Sequence, residues 1–308
     1  MKKNNYILIA LFSVIGILAC KKNKYEKYGE YGTIESGGKK RKYIVHVPSS
    51  YHEDTTYSLV LALHGRFGDP TDMAAGTGFS DVADFRKFIV CYPEGYKKSW
   101  ADSRGVTPAS EAGIDDVQFI SDLIDQLTED YAIDSTRIYV AGISNGGFLA
   151  QEIACSLSNK IAAFASVVAS MPEVLKPVCN PGRPIPGLIM LSTADALIPY
   201  EGGDIVNYDA GRVLSADSTL AFWLNNNSCS GFIDSTDLLD AKNDGTTVTE
   251  FIWNNCNAGA SFYFYRINNG GHNWPGGEPV WSFVSGNQCE DIDATVYIWE
   301  FFKDFVKP

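Results

Sequence analysis

Histidine is scarce: four residues in 308, at His46, His52, His64 and His272, and none stands at a zinc-ligand spacing. No Cys-x-x-Cys occurs, so neither a dithiol centre nor a metal is expected, and no cofactor is implied. Basic residues are outnumbered: 25 Lys and Arg face 37 Asp and Glu, a formal charge of −12. A surface of that sign repels phosphate backbones, which argues against nucleic acid as a partner. No internal repeat is found, and beyond residue 18 no long apolar run returns, so no later segment is expected to span a membrane. With 45% hydrophobic and 20% charged residues the chain is neither disordered nor fibrous, and its length allows one large core.

What is present begins with an address. Lys2 and Lys3 precede an almost wholly apolar stretch from Tyr6 to Leu18. It is shorter than the roughly 20 residues a spanning helix needs and suits the apolar region of a signal peptide. It ends in Ile17-Leu18-Ala19-Cys20, which resembles a bacterial lipobox. That resemblance implies cleavage before Cys20, a diacylglyceryl group on its sulfur, and an exported protein anchored at the periplasmic face or cell surface. Residues 20–31 are polar and read as a tether, and residues 32–308 as one domain. Six further cysteines remain: Cys91, Cys155, Cys179, Cys229, Cys256 and Cys289. Six allow 15 pairings. Cys229 and Cys256, both in Asn-rich loops, are the favoured pair, and Cys91 in an apolar run is expected as a buried thiol.

Strand-like and helix-like stretches alternate, which predicts an α/β fold: a mostly parallel sheet with helices on both faces. Ser58–Leu63, Phe88–Tyr92, Ala163–Ala169 and Gly187–Leu191 are continuous apolar runs, as strands covered on both sides require. Arg137–Ala141 and Phe262–Ile267 are further strands. Helices are predicted over 115–131, 145–157, 219–224 and 294–305. Ser36-Gly37-Gly38 marks a hairpin, and the adjoining Lys39-Lys40-Arg41-Lys42 run reads as its solvated arm.

The chemistry centres on Gly142-Ile143-Ser144-Asn145-Gly146, which follows a strand and opens a helix. Ser144 then sits at the tip of a tight turn, where side chains two positions before or after would strike backbone, hence the glycines. The helix N-terminus offers free amides to developing negative charge. A serine hydroxyl needs a base to become nucleophilic. Only His272 lies downstream of Ser144, inside Asn269-Gly270-Gly271-His272-Asn273-Trp274-Pro275. The acid should leave the end of a strand, and Asp195 follows the apolar Gly187–Leu191 run. Asp204, Asp209, Asp217, Asp234, Asp237, Asp240 and Asp244 compete, but none directly follows an apolar strand. Two oxyanion donors are expected: the amide of Asn145 and, from the loop His64-Gly65-Arg66-Phe67-Gly68, the amide of Arg66. His64 reads as a structural loop residue. Trp100, Tyr200 and Trp274 lie on loops beside these residues and are candidate substrate-stacking aromatics.

Six ordered motifs carry a family resemblance. They are Leu63-His64-Gly65; Tyr92-Pro93-Glu94-Gly95 with Trp100; Ile114-Asp115-Asp116-Val117; Gly142-Ile143-Ser144-Asn145-Gly146-Gly147; Thr193-Ala194-Asp195 with Ile198-Pro199-Tyr200; and Gly271-His272-Asn273-Trp274-Pro275-Gly276. Together they resemble the polyhydroxybutyrate depolymerase and feruloyl esterase-like group of α/β-hydrolases, which overlaps the first carbohydrate esterase family. The resemblance implies Ser144, Asp195 and His272 as a triad. It also implies a serine carboxylesterase that removes feruloyl or acetyl groups from plant polysaccharide or related small esters; separately from the resemblance, the protein is expected as a monomer. Relatives often have His-Gly-Thr-Ala-Asp where this chain has Leu191-Ser192-Thr193-Ala194-Asp195, and a small residue or Cys in place of Arg66. Two other expectations remain: a hydroxyalkanoate oligomer depolymerase, or a non-catalytic glycan-binding lipoprotein.

Overall fold

The computed structural model describes residues 28–206, 210–231, 234–279 and 286–308. The signal segment, Cys20 and most of the expected tether lie outside the described residues, as does Asp209. Among the described residues twelve strands run in chain order: β1 Glu30–Ser36, β2 Lys39–His46, β3 Tyr57–Leu63, β4 Ile89–Pro93, β5 Ile133–Ile143, β6 Ala163–Val167, β7 Gly187–Ser192, β8 Gly203–Asp204, β9 Arg212–Val213, β10 Asp234–Asp237, β11 Thr247–Trp253 and β12 Phe262–Asn268. Seven α-helices accompany them: α1 Pro70–Thr77, α2 Phe79–Arg86, α3 Pro108–Glu111, α4 Asp116–Asp130, α5 Asn145–Ser156, α6 Ala216–Asn226 and α7 Ala294–Phe302. Glu30 and Tyr31, read from sequence as tether, already pair with Val45 and Ile44 in β1.

Ten strands form one sheet in the order β1-β2-β4-β3-β5-β6-β7-β12-β11-β10. The six central strands are mutually parallel, from β4 to β12, with antiparallel strands on both flanks. The parallel centre follows from burial on both faces. In β3, Leu59, Leu61 and Leu63 join the core beneath α4, α5 and α6, while Val60 and Ala62 join the core beneath α1, α2 and α7. In β5, Ile138 and Val140 face the first core, and Tyr139, Ala141 and Ile143 the second. β3, and β5 from Ile138 onward, therefore have no polar face to show in sequence.

The hairpin between β1 and β2 closes through Gly37 and Gly38, both in the left-handed region at φ 56° and 70°. That geometry needs glycine and matches the twist of the paired strands. The basic arm behaves differently from the expectation of a solvated run. Arg41 is 5% exposed, bonds Asp116 Oδ1 at 2.6 Å and lies 3.9 Å over the Phe119 ring. Strand alternation turns this one residue of the run inward.

Helix α4 starts where predicted, with the Asp115 carboxylate accepting from the Gln118 amide at 2.8 Å. Among the described residues there are two disulfides, Cys155–Cys179 and Cys229–Cys256. The second is the favoured pair, and Cys91 is a buried thiol as expected; Cys289 is also a buried thiol. Disulfides belong to oxidising compartments. Among the described residues no helix is long and apolar enough to cross a membrane.

Candidate active site

Because β5, β6, β7 and β12 are adjacent and parallel, their carboxyl ends share one edge of the sheet. Ser144 leaves β5, the Asp195 turn leaves β7, and the His272 loop leaves β12. Such an edge is where α/β sheets collect functional groups.

Ser144 has φ 55° and ψ −120°, a conformation that costs a non-glycine residue about 1–3 kcal/mol. Its amide donates to the Val167 carbonyl of β6 at 2.9 Å, and its own carbonyl accepts from Phe148 to start α5. Its side chain makes no capping bond to that helix. The glycines around it have the predicted cause. A Cβ on Gly142 would lie 2.2 Å from the Gly146 carbonyl oxygen, and one on Gly146 would lie 2.4 Å from that of Leu63. The β3 loop packs against the serine: a Cβ on Gly65 would meet Ser144 Cβ at 3.5 Å.

The Asp195 carboxylate is held from two sides. Oδ1 accepts from the amides of Leu197 at 2.8 Å and Ile198 at 2.9 Å. Oδ2 lies 2.7 Å from Nδ1 of His272. The Asp195 side chain is 2% exposed and the His272 ring 12%. Ile198 packs with Phe148 and Val213, which anchors the turn to α5. A carboxylate at Nδ1 selects the tautomer whose Nε2 is free to accept a proton, and it stabilises an imidazolium. Of the competing acids, Asp204 bonds Arg212, Asp237 accepts from Thr249, and Asp244 accepts from Thr246.

His64 is wholly buried. Its Nε2 accepts from the Gly95 amide at 3.0 Å and its Nδ1 meets the Gly65 carbonyl at 2.7 Å. These partners require Nδ1–H and a neutral ring. Burial lowers its pKa to about 4. The ring is a spacer between two loops, matching the sequence reading.

Of the expected oxyanion positions, Asn145 opens α5 at 1% exposure, in a first turn whose amides have no helical acceptor. In the β3 loop, the amides of Phe67 and Gly68 are spent on the carbonyls of Lys98 and Gly65. The expected aromatic lining differs from the structure. Trp100 is 0% exposed and its Nε1 donates to the His64 carbonyl; Trp274 is 2% exposed and its Nε1 donates to Thr295 Oγ1. Both indoles are framework, because their loops fold inward over the two cores. Tyr200 is half-buried, and burial raises the pKa of its hydroxyl against the opposing Arg266. Phe67, not singled out from the sequence, lies two residues after Gly65, is 43% exposed and has φ 69°. A bulky residue held in the left-handed region is a strained feature of the kind concentrated at functional sites. Its only sequence signal was its place between the two loop glycines Gly65 and Gly68.

Against the His272 loop, whose Asn269 side chain donates to the Gly245 carbonyl and whose Gly276 amide donates to the Cys289 carbonyl, Asp244, Cys289 and Asp291 bring ligand atoms within 4.8 Å of one another. Their carboxylates already accept loop amides, from Thr246 and Glu290 on Asp244 and from Ala241 and Lys242 on Asp291.

Residues 42–171 match the family model described as Esterase PHB depolymerase. Feruloyl esterase B of Piromyces equi is 28% identical over 248 residues, which cover 79% of this chain and 45% of that protein. A bifunctional acetylxylan esterase/xylanase of Neocallimastix patriciarum is 28% identical over 244 residues, covering 78% of this chain and 32% of that protein. The chain thus spans less than half the length of these two relatives. Among solved structures, the acetyl xylan esterase from Aspergillus awamori aligns with a TM-score of 0.55 at 13% identity, covering 80% of this chain and 94% of that one. The CE1 ferulic acid esterase from Anaeromyces mucronatus, in complex with ferulic acid, aligns with a TM-score of 0.53 at 16% identity and 90% coverage of each. The chain therefore has the α/β-hydrolase fold, and within it residues 42–171 are similar to the Esterase PHB depolymerase family model.

Proposed function

We propose that the protein is a serine carboxylesterase that cleaves feruloyl or acetyl groups from polysaccharide or from related small esters. The observation that carries this is the 2.7 Å contact between His272 Nδ1 and the buried Asp195 carboxylate, at the same sheet edge as the strained Ser144. In the reaction, His272 Nε2 takes the Ser144 proton as Oγ bonds to the ester carbonyl carbon. The oxyanion is stabilised by the amide of Asn145, the residue after the nucleophile, and by the amide of Arg66 in the loop after β3. Collapse expels the alkoxide, which takes the proton back from His272, leaving an acyl-serine. Water then attacks the acyl carbon as His272 takes its proton; the acyl–Oγ bond breaks, His272 returns that proton to Oγ, and the acid product leaves with Ser144 and the neutral imidazole restored.

Phe67 supplies the exposed ring against which a phenolic acyl group or a sugar face stacks, with Tyr200 a second contact. The feruloyl and acetyl classes are favoured by the relatives that cover most of this chain. A hydroxyalkanoate oligomer is the second substrate reading, favoured by the description of the family model. Export and anchoring through Cys20 rest on the leader sequence and accord with the two disulfides. Turnover of 4-nitrophenyl acetate, methyl ferulate, acetylated xylan and hydroxybutyrate oligomers tests the assignment. Activity on the first three that Ser144→Ala abolishes is expected. Preference for hydroxybutyrate oligomers supports the second reading, and no turnover on any substrate rejects both. Cys20→Ser should release the protein from membranes, and continued membrane association would contradict the anchor.

A further inference from the structure

Next to the proposed nucleophile, the Asn145 side chain makes three bonds inside the protein, all to the loop after β4. Its Oδ1 accepts from the Trp100 amide at 2.8 Å, and its Nδ2 donates to the Trp100 carbonyl at 3.2 Å and to Asp102 Oδ2 at 2.7 Å. Asp102 is in turn gripped by Arg104, Nε to Oδ1 at 2.9 Å and Nη2 to Oδ2 at 2.7 Å, with side-chain exposures of 0% and 4%. Arg104 extends the chain of contacts. Its Nη1 donates to the Ala210 carbonyl at 2.8 Å, and its guanidinium lies 4.1 Å over the Phe148 ring of α5. The loop is itself fixed, because the Ala101 amide donates to Asp116 and the Thr107 hydroxyl to the Trp100 carbonyl.

We infer that Asp102, with Arg104 behind it, is a positioning residue that aims the backbone amide of Asn145 at the developing oxyanion. This rests on the esterase reading of Ser144 and Asn145. The physical argument has two parts. First, a buried ion pair gains little net stability over apolar packing, since desolvation consumes most of the Coulomb gain. Second, a side chain held at three points fixes the torsions of its own residue, and Asn145 is the residue whose amide follows Ser144. A hydrogen bond weakens steeply once its donor angle falls toward about 120°, and loss of one oxyanion donor lowers turnover by about 10²–10³-fold. Loosening without loss should have a smaller effect of the same kind.

The experiment compares wild type, Asp102→Ala and Asp102→Asn on 4-nitrophenyl acetate, with rates normalised to active sites titrated by a fluorophosphonate. Asp102→Ala should lower kcat about 10- to 100-fold and leave KM within about threefold, because the amide acts on the transition state more than on bound ester. It should weaken a trifluoromethyl ketone transition-state analogue by the same factor. Asp102→Asn keeps an oxygen facing Asn145 and should recover most of the kcat. Unchanged kcat and analogue affinity in Asp102→Ala overturn the inference, as does Asp102→Asn falling as far as Asp102→Ala. If Asp102→Ala does not fold, Arg104→Gln carries the same test: reduced kcat at constant KM supports the inference, and full kcat overturns it. Wild type lacking turnover would reject the esterase reading, a result separate from any of these.

Discussion

Two glycine-rich loops leave the carboxyl ends of parallel strands, and each carries a histidine. After β3, His64 is sealed between the Gly65 carbonyl and the Gly95 amide. After β12, His272 keeps 12% of its side chain exposed and faces the Asp195 carboxylate. Residue type and local sequence hardly separate them; surroundings do. Backbone partners on both nitrogens and full burial make a ring inert and neutral. A carboxylate on one nitrogen of a ring that keeps some exposure is the arrangement in which an imidazole can cycle a proton.

The largest effect should come from the second loop. His272→Ala should reduce ester turnover by at least about 10³-fold while leaving the thermal midpoint little changed. Turnover near that of wild type would dissolve the contrast. In the first loop the balance should reverse. His64→Ala leaves a cavity and an unpaired Gly95 amide, at a cost of about 2–4 kcal/mol. It should lower the thermal midpoint, while turnover per titrated site falls less than tenfold.

The contrast also has a pH signature. Burial lowers the pKa of folded His64 to about 4, below its ordinary 6.5. The unfolded chain therefore binds the extra proton first, and this residue's contribution to stability is lost as pH falls from about 6.5 to about 4. Glu152, on α5 behind the serine, acts in the opposite sense. Burial, with Asp102 nearby, pushes its carboxyl up to about 7 from 4.5. The folded state holds that proton more tightly, so the contribution is lost as pH rises from about 4.5 through about 7. Glu152→Gln should raise the thermal midpoint at pH 8 and leave it unchanged near pH 4, as followed by calorimetry. Equal shifts at both pH values would contradict the burial argument. The smallest effect is expected at Phe67. Phe67→Ala should raise KM for methyl ferulate several-fold and leave KM for 4-nitrophenyl acetate nearly unchanged, because one stacked ring is worth about 1 kcal/mol. Equal changes for both esters would remove the ring from the acyl site.

Much of this architecture was legible before any coordinates. Strands buried on both faces lose their alternation and read as apolar runs, which is why β3, β4, β6 and β7 were found within a residue or two. The collisions that demand Gly142 and Gly146 are local, so the turn at Ser144 was readable too. The apolar strand before Asp195 is the sequence signal that separates it from the other aspartates, and the structure places its carboxylate 2.7 Å from His272 Nδ1. Strand β11 was missed because Thr247–Trp253 mixes polar and apolar residues on a half-covered flank. Arg41 was misread because a run of four cations hides which residue faces Asp116. Trp100 and Trp274 were misassigned for a related reason: sequence places an indole on a loop without telling which way the loop folds. The Cys155–Cys179 bond links α5 to a loop 24 residues away, and nothing near either cysteine signals the other.

The central claim is that Ser144 is activated by the ring that Asp195 holds. Reaction with a fluorophosphonate, followed by peptide mapping and by the rate of labelling, tests it most directly. The account predicts one labelled serine, Ser144, with labelling slowed by at least about 10²-fold in His272→Ala. Labelling at another serine, or an equal rate without the imidazole, would contradict it.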